Sequence, residues 1–193
     1  MNICIYGASS NLIDKSYINA TEVLGEKMGK KGHTLVYGGG ANGLMGAAAR
    51  GFVKGGAQVI GVAPSFFQVD GVLFKKCSEF IYTETMRERK KIMEDRADAF
   101  VMTPGGVGTY DEFFEMLTLK QLGQHKKPIA VFNINGFYDK LTKMLQNAVE
   151  QKFMTRECLE LAPVFSNADE LIEYLENYTD DNYDFSVLKK VEN

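Results

Sequence analysis

The residue types best suited to chemistry fall in two short runs, Met86-Arg87-Glu88-Arg89-Lys90 and Pro104-Gly105-Gly106-Val107-Gly108-Thr109-Tyr110-Asp111-Glu112. Glycines in the second run free its backbone to turn amide groups inward, and Thr109 opens a helical pattern. Backbone amides and the positive end of a helix dipole together make an anion site. The run lacks the Gly-Lys-Ser/Thr ending of a triphosphate loop, so a monophosphate fits it better. Gly105, Gly106, Val107, Gly108 and Thr109 are therefore candidate phosphate-binding residues.

Glu112 stands three residues after Thr109. That is the spacing of a capping box, in which Thr109 caps the helix and Glu112 reaches back to the cap amide. Placed beside a ribose, the same carboxylate would stabilise a developing oxocarbenium ion or orient water. Spacing alone leaves both roles open, and in either the dipole and any neighbouring cation should keep Glu112 ionised. At about 100° per residue, Met86, Met93 and Ala97 form one apolar stripe, with Arg89 and Lys90 on its flanks. Cations near a helix N-terminus are disfavoured by the dipole and call for a compensating anion, either a ligand or a carboxylate. The alternative is a solvated charge run with snorkelling stems. Glu115 and Thr118, further along the helix of Glu112, either line the site or face solvent.

Five short apolar runs, Asn2–Tyr6, His33–Tyr37, Ala57–Val62, Ala99–Met102 and Ile129–Phe132, are the strands that would position these residues. Helical patterns lie near 14–31, 43–54, 84–97, 109–121 and 137–151, with a further helix at 168–177 and an edge strand at Pro163–Phe165. This alternation predicts an α/β fold, Rossmann-like and doubly wound, with a mainly parallel sheet in a single domain over 1–180 and a tail at 181–193. Ligands bind at the carboxyl ends of strands in such sheets. Three strand ends carry unusual loops: Gly7-Ala8-Ser9-Ser10-Asn11, Gly38-Gly39-Gly40-Ala41-Asn42-Gly43, and the run at 103–109. The second satisfies G-x-G-x-x-G between strand and helix, making Gly39 and Gly40 candidate nucleotide-binding residues. A dinucleotide site also needs an acid at the end of the next strand, where Gly61-Val62-Ala63-Pro64 stands instead, which counts against NAD. Residues 63–80 form a longer connection able to fold over a site. The helix after Thr109, with Phe113, Phe114, Met116, Leu117 and Leu119, is apolar almost all round and calls for burial centrally or against a second subunit.

A formal charge of −3 supplies no basic field for nucleic acid, and no apolar run is long enough for a membrane span. With no export signal and three scattered cysteines, Cys4, Cys77 and Cys158, a reduced cytoplasmic protein is expected. His33 and His125 sit away from the glycine loops, so no metal ligand is assigned and no cofactor is expected.

Met86-x-x-Arg89-Lys90 followed by Pro104-Gly105-Gly106-x-Gly108-Thr109-x-x-Glu112 resembles the paired signature of the Lonely Guy family of cytokinin-activating phosphoribohydrolases. Tyr37-Gly38-Gly39-Gly40, Gly43-Leu44-Met45-Gly46, Asp98-Ala99-Phe100, Gln121-Leu122-Gly123 and Lys127-Pro128 fit as well. The resemblance implies a Rossmann-like homodimer that releases adenine or an N6-substituted adenine from the riboside 5'-monophosphate, giving ribose 5-phosphate. It implies Arg89 and Glu112 as the catalytic pair, Gly106, Gly108 and Thr109 on the phosphate, and Lys90, Met86 and Thr118 lining the site. Arg87 stands where many members carry His, adding a charge near the mouth that bears on substrate preference. Members were often labelled lysine decarboxylases, but one short domain lacks the size and pyridoxal-binding apparatus for that chemistry. A non-catalytic nucleotide or molybdenum-cofactor carrier of similar fold is the alternative function.

Overall fold

A computed structural model describes residues 1–180, and the expected tail at 181–193 lies outside the described residues. Seven strands, β1 (Asn2–Tyr6), β2 (Thr34–Tyr37), β3 (Val59–Pro64), β4 (Glu79–Thr83), β5 (Ala99–Met102), β6 (Ile129–Phe132) and β7 (Val164–Phe165), form one sheet. Their order is β4-β3-β2-β1-β5-β6-β7, and every neighbouring pair is parallel. The order reverses at β1, where Ile3 faces Leu35 on one side and Ala99 on the other. The helices are α1 (Lys15–Lys30), α2 (Gly43–Lys54), α3 (Met86–Arg96), α4 (Val107–Gln121), α5 (Asp139–Glu150) and α6 (Ala168–Glu176).

Both faces of the sheet are covered, which is why the strands are apolar at consecutive positions. Side chains alternate across a strand, so Ile3 and Ile5 join Leu24, Phe52 and Leu171 in the core beneath α1, α2 and α6. Cys4 and Tyr6 point the other way, into the core with Met93 from α3 and Phe113 and Met116 from α4. The expected doubly wound α/β architecture is thus the one observed. The structure adds β4, which the sequence left unassigned across the end of the connection 63–80 and the residues before the helix at 84–97; its exposed Glu79 and Tyr82 at the sheet edge break the apolar run that marks the central strands.

α1 and α2 approach backbone to backbone. A Cβ on Gly25 would stand 2.7 Å from the Ala48 carbonyl oxygen, and one on Gly55 2.7 Å from that of Glu26. These two helices follow the first and second glycine loops, so their close contact fixes the loops relative to each other.

Candidate active site

The three glycine loops meet at the reversal of strand order, as the rule for open α/β sheets requires. The Ala8 amide donates to the Pro104 carbonyl at 3.0 Å, and the Thr103 hydroxyl donates to the Tyr6 carbonyl at 2.8 Å, tying the loop after β1 to the loop after β5. The cleft between them has a volume of about 610 Å³, within the range of small-molecule sites. Its lining comes from all three loops, from Met86, Arg89 and Glu112, and from Phe67, Val72 and Leu73 of the connection after β3.

Of the helices that begin near this cleft, α2 has its first amides already used. The amides of Leu44 and Met45 donate to the Ala8 carbonyl at 2.8 and 3.3 Å, and that of Gly43 to Asn11 Oδ1 at 2.8 Å. Gly43 has φ +58°, and a Cβ there would collide with the Ala8 carbonyl, so glycine is what permits this contact. α4 is different. It starts at Val107 with Gly106 as a cap that offers no side chain, and its first internal bond runs from the Tyr110 amide to the Gly106 carbonyl at 3.1 Å. The amides of Val107, Gly108 and Thr109 have no acceptor among the described residues and lie at the cleft. No acidic side chain occupies this first turn, leaving the positive end of the dipole uncompensated. Gly105 is buried beneath, and the volume a Cβ would take there is filled by the Thr109 side chain folded back over it.

The capping box expected of Thr109 and Glu112 is absent, because the helix begins two residues earlier and Glu112 has another partner. Its Oε1 accepts a hydrogen bond from Arg89 Nη1 at 2.6 Å. The T-x-x-E box occurs instead at Thr85 and Glu88, which cap α3: Thr85 Oγ1 accepts from the Glu88 amide, and Glu88 Oε2 accepts from the Thr85 amide. This box fixes the start of α3 and with it Arg89, which is only 6% exposed. Arg89 is therefore not part of a solvated charge run. Its Nε donates to the Val62 carbonyl at 3.2 Å, and its Nη2 lies where a Cβ on Gly38 would have to go. Gly38 is glycine because the guanidinium occupies that space.

Burial pushes the Glu112 carboxyl above its usual range, and the charge and hydrogen bond of Arg89 pull it back. Burial is the larger effect, so the carboxyl is raised on balance, whereas the dipole and a neighbouring cation were expected to keep it ionised. Arg89 is the counter-charge that keeps a usable carboxylate in so dry a place. Removing either partner of such a pair leaves an uncompensated buried group. Nη2 of Arg89 and Oε2 of Glu112 have no hydrogen-bond partner among the described residues, so the pair retains both donor and acceptor capacity beside the cleft.

Met86, Arg89, Gly106, Val107, Gly108, Thr109, Glu112 and Gly40 all line the cleft. Met86 is exposed at its mouth rather than in the apolar stripe expected of it. Gly39 and Gly105 lie behind the lining and support it; Gly39, at φ +74°, turns the second loop against Phe80. Lys90 and Thr118 are not brought to the cleft. They border a neighbouring groove on α4, where Lys90 Nζ is held by Asp111 at 3.1 Å and Glu115 at 2.7 Å. The sequence did not single out Ser9, Asn42, Met45, Phe67, Val72 or Leu73 as lining. Met45 and Asn42 stand inside the second loop-helix motif and could have been found from it; Phe67, Val72 and Leu73 belong to the connection 63–80 expected to fold over a site, although no spacing marks them individually.

A family model described as "Possible lysine decarboxylase" matches residues 45–175. A cytokinin riboside 5'-monophosphate phosphoribohydrolase of Arabidopsis thaliana is 35% identical over 183 residues, covering 95% of this chain and 86% of the relative. One from Oryza sativa subsp. japonica is 38% identical over 176 residues, covering 91% of this chain and 73% of the relative. Among solved structures, a molybdenum cofactor carrier protein from Chlamydomonas reinhardtii superposes with a TM-score of 0.70 at 20% identity, covering 91% of this chain and 95% of that one. That likeness shows the fold alone. The sequence relatives reach further, along nearly the whole length that builds the cleft, and they place this chain in the Lonely Guy family.

Proposed function

We propose that the chain hydrolyses the N-glycosidic bond of adenine-type nucleoside 5'-monophosphates, releasing the free base and ribose 5-phosphate. The observation that carries this is the open first turn of α4 beside the buried Arg89–Glu112 pair in a single cleft. The relatives' names as riboside monophosphate phosphoribohydrolases support the same bond. Dianionic phosphate sits on the amides of Val107, Gly108 and Thr109, where charge-assisted hydrogen bonds and the dipole act together. The strand ends of β5 and β3 are three spacings apart, about 14 Å. A nucleoside monophosphate laid along them puts its ribose at Glu112 and its base toward Phe67, Val72 and Leu73.

As the bond from C1' to the base nitrogen lengthens, its electron pair leaves with the base and positive charge grows on the sugar. The Glu112 carboxylate stabilises that charge and orients water, whose oxygen bonds to C1'. The water's surplus proton passes to solvent, and the departing base takes one up. Arg89 keeps Glu112 ionised and in place. Residues 1–180 are the functional unit, acting in the cytoplasm as a homodimer. Exposed Val107 and Met86 at the mouth of the cleft support a second copy there. No described helix is long and apolar enough to cross a membrane.

The test is base release from AMP and from isopentenyladenosine monophosphate, followed by chromatography, with wild type, Glu112→Gln and Arg89→Ala side by side. Free base and ribose 5-phosphate from wild type alone support the hydrolase. Tight AMP binding without release in wild type would instead favour a nucleotide or cofactor carrier.

A further inference from the structure

Asn42 is the cap residue of α2, with extended backbone at φ −107° and ψ 167°, yet its side chain makes no capping hydrogen bond. Asparagine at this position ordinarily accepts from an amide of the first turn and stabilises the helix by doing so. Here the Ala8 carbonyl takes those amides, and the Asn42 side chain is used elsewhere. Its Oδ1 accepts from Asn11 Nδ2 at 2.8 Å, and its Nδ2 donates to the Gly71 carbonyl at 3.1 Å. Asn11 in turn accepts the Gly43 amide through Oδ1. One relay of two side-chain amides therefore joins the first loop, the start of α2, the second loop and the segment after β3.

That segment, residues 65–76, is the wall on the side of the cleft away from α4. Beyond Gly71 it is stitched to the second loop by the Ala41 amide donating to the Val72 carbonyl and the Phe74 amide donating to the Gly39 carbonyl, both at 2.9 Å. A single antiparallel bridge pairs Gly40 with Leu73. Leu73 lines the cleft on one side and two outer grooves on the other, so it is a partition one side chain thick. Phe74 anchors the far end of the segment against the core, whereas Phe66, Phe67 and Val69 are all exposed. Between those points its position relies on the hydrogen bonds to residues 39–42.

We infer that Asn42 is a positioning residue that sets the base-side wall of the cleft, acting through Gly71 on Val72 and Leu73 while leaving the phosphate end at α4 untouched. The inference rests on the hydrolase proposal for which ligand end meets the wall, but the Asn42 relay itself does not. Asn42→Asp separates the two roles the residue could have. Aspartate is a good helix cap and keeps an acceptor for Asn11, but it cannot donate to the Gly71 carbonyl and repels it.

The experiment combines hydrogen exchange with calorimetric binding of AMP and of ribose 5-phosphate to the full chain, comparing wild type, Asn42→Asp and Asn42→Ala. Exchange at the Ala41 and Phe74 amides is expected to quicken roughly tenfold in both variants, with the melting temperature of Asn42→Asp unchanged or raised. AMP affinity is expected to fall about tenfold, and ribose 5-phosphate affinity to stay within about twofold. Unchanged exchange at both amides overturns the inference, as does an equal loss for the two ligands. A wild type that binds neither ligand counts against the hydrolase proposal alone, because the exchange result still decides the role of Asn42.

Discussion

The starts of α2 and α4 look alike in sequence, each a glycine-rich loop leading from a parallel strand into a helix. In the fold they are opposites. At α2 the Ala8 carbonyl and Asn11 consume the first amides, so the dipole is answered by the protein itself. At α4 nothing described answers it, and the turn lies at the cleft. What makes an anion site is thus not glycine content but where the freed amides point and whether a neighbouring carbonyl reaches them first.

The contrast is tested most severely at Glu112, the carboxylate that only the α4 side provides. Glu112→Gln should lower kcat for base release by about 10²–10³-fold while nucleotide binding persists, since a neutral amide cannot stabilise the sugar's charge. Equal kcat in steady-state assays would remove Glu112 from the chemistry. Arg89→Ala should cost about 3–5 kcal/mol of folding stability by denaturant titration, because a buried carboxylate loses its counter-charge. A loss under about 1 kcal/mol would mean that water replaces the guanidinium freely.

A smaller effect is expected at the α4 amides. Gly108→Pro removes one donor where the first turn of a helix tolerates proline, so the fold should hold and affinity for ribose 5-phosphate should drop about tenfold by calorimetry. The counterpart at the other helix is Gly43→Ala, whose methyl group would meet the Ala8 carbonyl at positive φ. It should reduce stability by about 1–3 kcal/mol in thermal melts, with affinity in the folded protein within about threefold. A reversal of these two outcomes would put the phosphate at α2. The finest difference is in pH. Burial raises the Glu112 carboxyl, so its proton persists to higher pH than usual, and activity that needs the ionised form is lost as pH falls through that raised value. The acid limb of kcat should accordingly lie above about 4.3, the ordinary value for glutamate, and disappear in Glu112→Gln.

Much of this frame was legible in the sequence because burial on both faces leaves an unmistakable apolar run. β1, β5 and β6 are bounded in the structure as their residues suggest. β4 was not, since an edge strand with exposed Glu79 and Tyr82 has no such run. The two T-x-x-E spacings show the limit at the level of the site. Thr85–Glu88 is a capping box, while Thr109–Glu112 is not, because α4 begins two residues before Thr109 and Arg89 approaches Glu112 from a different helix. Lys90, next to Arg89 in the chain, turns instead to Asp111 and Glu115. The apolar wall of Phe67, Val72 and Leu73 is set at the cleft by hydrogen bonds to residues 39–42 and by Phe74 packed on the core, a long-range arrangement that periodicity does not encode.

The backbone contact between α1 and α2 has a mechanical consequence. Where two helices meet through side chains, small shifts are absorbed by rotamer changes, and a substitution is felt only nearby. Gly25 and Gly55 leave no such cushion, so the two helices behave as one solid block with a loop projecting from the same end of each. A methyl group inserted at that seam, remote from any ligand, would therefore be transmitted along both axes and emerge as a misalignment between the Ala8 carbonyl and the amides that it holds.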